Sequence, residues 1–158
     1  DLTNMDLSGT KLVGADLSGT KLVGVDLTNM DLSGTNLVGA DLSGTNFSFA
    51  VLTNSNLSHT ILTQGNFANT KLQNTNITDV VAFGTIMNNA DFTNANISFS
   101  NFQGSFFINA TFKNAKVINS KFSGAHLIGA DLIGADLSNS TFNYAKLNGC
   151  INNKICKN

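Results

Sequence analysis

The chain has 158 residues, of which 42% are hydrophobic and 12% are charged, and its formal net charge is −1 at pH 7. The charged fraction is about half the ~25% of an ordinary globular protein. The basic residues are all Lys and the acidic residues are all Asp, and both are few. This composition excludes a strongly basic nucleic-acid surface and a strongly acidic tail, so no direct nucleic-acid binding is expected.

The longest apolar run near the middle of the chain covers residues 80–83. It is far shorter than the ~20 residues that a helix needs to span a bilayer. The N-terminus lacks the basic-then-apolar pattern of a secretion signal. We therefore expect a soluble chain without membrane contact, and the sequence favours the cytoplasm over secretion by a small margin.

A five-residue repeat runs along almost the whole chain. Every fifth residue from Leu2 to Leu147 is a large apolar residue, with Ala82 as the single weak position. We call this residue the centre of its pentad. The residue two places before the centre is small, the residue just before it is usually Asp, Asn or Lys, and Ser or Thr often follows it. Gly or Asn fills 24 of the 31 places two residues after the centre, which marks that place as a turn.

A period of five fits neither the 3.6 residues of a helical turn nor the period of two in a strand. The chain must therefore turn once in every pentad. Gly and Asn tolerate the positive φ that the second central residue of a type II turn requires. Each pentad then consists of a short extended segment and a corner, and four right-angle corners close a square coil of 20 residues.

Charged residues that lie 20 apart would be stacked on one face of such a coil. Four of the six Lys residues in the place before a centre have an Asp one coil away, whereas a separation of 15 residues matches three. Exposed pairs of this kind stabilise a protein by only ~0.2 to 1 kcal/mol each. The expected ion pairs are Lys11 with Asp31, Lys21 with Asp1 and Asp41, Lys71 with Asp91, and Lys116 with Asp136.

Several pentads closely follow one motif. The segments ADLSG at 15–19, ADFTN at 90–94 and ADLIG at 130–134 resemble the A(D/N)LXX motif of pentapeptide-repeat proteins. The resemblance extends from Asp1 to about Cys150. It implies an all-β fold, a right-handed quadrilateral parallel β-helix of about seven to eight coils with Leu and Phe stacked in the centre. We expect residues 1–150 to form this β-helix and residues 151–158 to form a C-terminal tail or cap.

Phe83 follows the weak centre Ala82 and allows two interpretations. It is either a surface aromatic residue or the mark of a local register slip. The surface interpretation is favoured, because the pentad phase resumes at Met87 without an inserted residue.

Residues that carry chemistry are sparse. His59 falls at a corner and His126 at an outward place, and neither has a second His or Cys nearby at ligand spacing. Asp6 and Asp26 would stack on one face, but two carboxylates alone make a weak cation site. We expect no catalytic residues, no metal site and no cofactor, and we do not expect an enzyme.

The two cysteines lie at the end of the repeats. Cys150 occupies the small inward place, where Cys is a common buried residue, and Cys156 lies in the tail. In an oxidising compartment, a disulfide between them would close the last turn as a cap. Two free thiols in a reducing cytosol are an equally good interpretation.

The resemblance suggests one specific function. Quinolone-resistance and gyrase-inhibitor members of this family resemble a DNA duplex in size and charge, and bind type II topoisomerases through an acidic rod. A net charge of −1 argues against such a DNA mimic, because mimicry depends on replacing phosphate charge. Binding or protection of DNA gyrase is therefore the alternative hypothesis.

A structural or protein-interaction scaffold that binds an unidentified protein is the preferred hypothesis. Apolar residues at outward places share one face in the later coils, and they define a candidate partner surface: Ile86, Phe106, Ile108 and Ile128. An exposed apolar cluster can mark a partner site, although drift among repeats explains it equally well.

The chain begins in register, with Leu2 already at an inward place. Solenoids usually cover their ends, because an open coil exposes core side chains and strand edges. We therefore expect either further sequence before Asp1 or an end-to-end dimer through the N-terminal coil.

Overall fold

The backbone turns through a left-handed residue once in every pentad. The computed structural model describes residues 1–157, and the last residue of the predicted tail, Asn158, lies outside them. Positive φ recurs two places after each apolar centre, from Asn4 at 56° to Gly149 at 68°. The N–H three residues after the centre donates to the carbonyl of the centre, as Met5 does to Leu2 at 3.0 Å. The predicted corners are confirmed.

Successive turns of the chain pair in parallel. Every β-bridge joins two residues that lie 20 apart, from Asp16 with Asn36 to Asp131 with Ile151. The pattern of each pairing is the same: Leu17 N–H donates to Asn36 O at 2.7 Å, and Asn36 N–H donates to Ala15 O at 2.9 Å. Four pentads therefore complete one turn of a parallel β-helix, as the arithmetic of the repeat predicts.

The extended segments are too short to form continuous strands. Each pentad contributes one bridging residue, in the place before its centre. Within the described part of the chain, the only regular helix is a 3-10 helix, Lys154–Lys157. The pentad ladder is therefore held by one backbone pairing site per face and coil, with a corner between neighbouring sites.

The apolar centres stack into a closed core. Centres from Leu22 to Leu132 are buried, including Ala82, the weakest position in the repeat. Phenylalanine centres 20 residues apart stack almost parallel: the rings of Phe102 and Phe122 are 5.3 Å apart, and those of Phe122 and Phe142 are 5.2 Å apart. Like side chains thus lie on like side chains along each face, and their burial is the main stabilising term.

The small inward residues include many Ser and Thr, and their hydroxyls bind the backbone. Ser100 Oγ donates to Ile77 O at 2.7 Å, and Thr45 Oγ1 donates to Leu22 O at 2.6 Å. No buried side-chain nitrogen or oxygen of the described residues lacks a hydrogen-bond partner. These hydroxyls tie one coil to the coil before it, because each bond spans 23 residues.

The tail after the last coil folds back onto the end of the core. Ile155 and Cys156 are partly buried against core residues, and Cys150 is buried. The structure joins Cys150 and Cys156 by a disulfide with 5.3 Å between their Cα atoms. That separation lies within the ordinary range for disulfides. Whether the bond forms in the protein depends on its compartment, so the disulfide stays a prediction.

Phe102 is the clearest test of the stacked core. It is fully buried, stacks on Phe122, and meets the ring of Phe107 edge-on at 5.4 Å. Phe102→Ala should lower the free energy of unfolding by about 3 to 5 kcal/mol, because it removes the ring and leaves a cavity. Urea unfolding followed by circular dichroism measures this change. The matched control is Tyr144→Ala, which removes a 95% exposed ring and should change stability by less than about 0.5 kcal/mol. Equal effects of the two variants would contradict the stacked core.

The disulfide is tested by counting thiols in denatured protein. Without reductant, we expect no titratable thiol, and reduction should release both. Reduction should also lower the free energy of unfolding by about 2 kcal/mol, since the bond closes a short loop. A variant with Cys150→Ser and Cys156→Ser should show no response to reductant. Two free thiols in the unreduced protein would rule out the disulfide.

Candidate interaction surface

The residues on either side of each centre point outward, and those on one face form columns along the rod. Ile86, Phe106 and His126 are successive members of one such column, joined by parallel bridges. Ile108 and Ile128 are neighbours in the adjacent column, where Asn109 N–H donates to Ile128 O at 2.8 Å. The structure therefore places the four residues of the predicted partner surface together on one face.

These four side chains differ in their exposure. Ile86 is 39% exposed, whereas Phe106, Ile108 and Ile128 are half-buried. The ring of Phe106 meets the imidazole of His126 edge-on, with 4.7 Å between ring centroids. Asn88 Oδ1 accepts a hydrogen bond from Ile108 N–H at 3.0 Å. The patch is thus a shallow apolar surface whose side chains and backbone are held in place by their neighbours.

A second apolar cluster lies on the preceding face, and the sequence reasoning missed it. Ile61 is 43% exposed, Val81 39% and Phe83 42%, and a parallel bridge joins Ile61 to Val81. The surface position predicted for Phe83 is confirmed, because Ala82 and Met87 on either side of it are buried. The signal was present in the sequence as two apolar residues, 20 apart, at outward places that usually hold polar residues.

The Asp residues in the place before a centre bind the residue two places on. Asp26 Oδ1 accepts hydrogen bonds from Thr28 Oγ1 at 2.5 Å and from Thr28 N–H at 3.0 Å. The hydroxyl of Thr28 is the main cause, and its N–H the next, that lowers the pKa of Asp26. Hydrogen bonds from Ser hydroxyl and N–H groups likewise lower the pKa of four more carboxyls: Asp6, Asp16, Asp31 and Asp136. These groups therefore stay ionised well below neutral pH.

The expected ion pairs between stacked Lys and Asp do not close. Lys21 with Asp41, Lys71 with Asp91, and Lys116 with Asp136 are bridged through their backbones. Within residues 1–157, however, the one charged contact shorter than 4.0 Å joins His59 Nδ1 to Asp79 Oδ2 at 3.9 Å. The physical reason is local, because hydrogen bonds to the residue two places on hold the carboxylates. Lys116 still lowers the pKa of Asp136 through its charge.

Charge is distributed unevenly along the rod. The first fifty residues contain six Asp and two Lys, whereas residues 111–158 contain six Lys and two Asp. The near-neutral net charge therefore hides an acidic N-terminal third and a basic C-terminal third. Composition totals cannot reveal this arrangement, but a count along the sequence does.

The described residues offer little for metal binding. No group of three His, Cys, Asp or Glu side chains among them is close enough to hold a metal ion. His59 and Asp79 both lie exposed at a corner. The largest groove, about 710 Å³, runs between the last coil and the tail and is lined by polar side chains that include Asp136, Asn152 and Lys154. In the described part of the chain, no helix is long and apolar enough to cross a membrane.

A family model for pentapeptide repeats matches the chain in eight copies. The matched segments are 1–39, 10–48, 40–79, 50–89, 76–114, 90–127 and 118–151. A comparison with curated proteins gave no significant match.

Several solved structures are similar to the chain. HetL, a pentapeptide repeat protein involved in heterocyst differentiation regulation from the cyanobacterium Nostoc sp. strain PCC 7120, is 27% identical with a TM-score of 0.43, and the match covers 94% of this chain and 73% of HetL. A trypsin-treated form of QnrB1, a plasmid-mediated fluoroquinolone resistance protein, is 23% identical with a TM-score of 0.52, and the match covers 86% of this chain and 73% of QnrB1. The likeness to QnrB1 shows the fold alone. Because the matched segments extend from residue 1 to residue 151, the chain belongs to the pentapeptide-repeat family.

Proposed function

We propose that this chain is a non-enzymatic scaffold that binds a partner protein through one face of its rod. The rod is a right-handed quadrilateral β-helix of about seven to eight coils, as in the family to which the chain belongs. The partner surface consists of Ile86, Phe106, Ile108 and Ile128. The observation that carries the proposal is the contiguity of these four apolar side chains on one face, at places that elsewhere hold polar residues.

The surface is suited to binding because it is held rigidly. Backbone pairing fixes Phe106 between Ile86 and His126, and the His126 imidazole supports one edge of its ring. A partner that packs on these side chains therefore has little conformational freedom to remove from them. Binding is stronger when the contacting groups are already ordered, because less entropy is lost on association.

The rest of the face supports an interaction role as well. The place before each centre runs from Asp6 and Asp26, through Asn46 and Asn66, to the apolar residues. An apolar centre bordered by polar side chains is the usual arrangement of a protein interface. Aromatic residues such as Phe106 often supply a large part of the binding energy at such sites.

Removal of the apolar centre tests this proposal. A variant with Phe106→Ser and Ile108→Ser should lose capture of the partner from extracts of cells that produce the protein. The matched control carries Val13→Ser and Ile133→Ser, which remove two exposed apolar residues from another face. Circular dichroism must show that both variants keep the β-helix. Unchanged capture by the Phe106 and Ile108 variant would contradict the proposal.

A DNA-like ligand of a type II topoisomerase is the second candidate. One observation favours it, because the first fifty residues contain six Asp and two Lys, and the lowered pKa values of several of these carboxyls keep them charged. QnrB1, which has the same fold, is a fluoroquinolone resistance protein. The six Lys of residues 111–158 oppose this reading, since a DNA mimic must present negative charge along its length.

A supercoiling assay with DNA gyrase separates the two candidates. For the scaffold, we expect no inhibition of supercoiling and no protection against a fluoroquinolone at micromolar protein concentrations. A DNA mimic would inhibit or protect, and its effect would fall as salt increases, because charge-driven binding is screened. Such a salt-sensitive effect would favour the second candidate over the first.

A further inference from the structure

The face that holds the missed apolar cluster has an ordered sequence of side chains. Its outward places before each centre are Lys21, Asp41, Ile61, Val81, Asn101 and Lys121, joined in that order by parallel bridges. We call this column, together with Phe83, the Val81 face. It is a different face from the one that carries Phe106.

The middle of the Val81 face is apolar and open to water. Ile61, Val81 and Phe83 are each about two-fifths exposed, and they are neighbours. The corner that follows them is Gly84, which is exposed and has no atom within 4 Å of the place where a Cβ would lie. A flat partner could therefore reach the cluster without obstruction from the corner.

Charges of opposite sign lie at equal distances from the middle of this face. Asp41 precedes Val81 by 40 residues and Lys121 follows it by 40 residues, which is two coils in each direction. With ~4.8 Å between neighbouring coils, both charges lie about 10 Å from Val81 along the rod. The face thus has an acidic end, an apolar middle and a basic end.

A surface with this order is complementary to its own reversed copy. We propose that the Val81 face binds the same face of a second copy of this chain, with the two rods antiparallel. The two-fold axis passes between the Val81 side chains, so that Val81 and Phe83 contact their own counterparts. Asp41 of each copy then lies opposite Lys121 of the other, and the contact is made twice, as two-fold symmetry requires.

The long-range charge distribution favours the same orientation. Antiparallel rods place the acidic first third of one copy beside the basic last third of the other. Parallel rods would place Lys121 beside Lys121 and acidic segment beside acidic segment. Electrostatic complementarity of this kind selects orientation more than it adds affinity.

The interface is small, and its size sets the expected strength. From Asp41 to Lys121 the face spans four coil spacings, about 19 Å. A single face of that length buries less than the ~800 Å² per partner of a standard stable complex. The dimer should therefore be weak and reversible, with dissociation at micromolar or higher concentrations.

Sedimentation velocity on the full chain tests the proposal, at concentrations from about 10 µM to about 1 mM, where interfaces of this size associate. We expect a monomer–dimer equilibrium. Asp41→Lys and Lys121→Asp should each weaken the dimer at least about fivefold, because each variant creates two like-charge contacts. An equimolar mixture of the two variants should dimerise as well as the unmodified chain, since both contacts are then oppositely charged.

Asp91→Lys is the matched control. Asp91 binds Thr93 as Asp41 binds Ser43, but it lies on another face, so its replacement should leave association unchanged. A strict monomer at all concentrations would overturn the proposal. A dimer that ignores Asp41→Lys and Lys121→Asp would also overturn it, and would point to end-to-end stacking. Failure of the mixture to restore association would show that the two residues do not meet.

Discussion

The structure depends on one backbone constraint, a residue with positive φ at every fifth position. That residue turns the chain through a corner, and its recurrence brings residue 20 above residue 40 on every face. Where the constraint is met by Gly or Asn it costs little, because these residues tolerate the left-handed region. Phe49 and Phe99 meet it as well, at 61° and 59°. Positions of this kind cost roughly 1 to 2 kcal/mol each in ordinary residues. The stacking of the coils above and below holds them there, so packing is stronger than local preference at these corners.

The core follows from the corners. Because each coil repeats the one before it, a side chain at a centre meets the equivalent side chain of the next coil, and like rings stack as Phe92 and Phe112 do at 4.9 Å. The small inward residues complete the interior. Serine and threonine are as suitable as alanine in this place, since their hydroxyls find backbone carbonyls of the preceding coil. A polar residue is thus acceptable in the interior when the backbone next to it repeats with the right spacing.

Much of this architecture could be predicted from the sequence, because it depends on periodic features. The corners, the 20-residue pairing and the burial of the centres all follow from residue types at fixed phase. The surface could be predicted less well, because its geometry depends on competition between side chains. Lys and Asp at stacked places suggest ion pairs, but each Asp has a closer donor two residues along its own chain, and it binds that donor first. Likewise Ile86 and Phe106 look equivalent in the sequence, yet His126 covers part of Phe106 and the cluster around Ile61 is more open.

The regular spacing of the coils has a consequence for recognition. Outward side chains on one face recur at a fixed interval, so a flat partner that fits one register fits the next register almost as well. Geometry alone therefore permits sliding along the rod in steps of one coil. Only irregular side chains distinguish one step from another. Phe83 and Phe106 interrupt columns that are otherwise polar or aliphatic, and each marks one level of the rod. In a molecule built from equal intervals, the departures from the repeat carry the positional information.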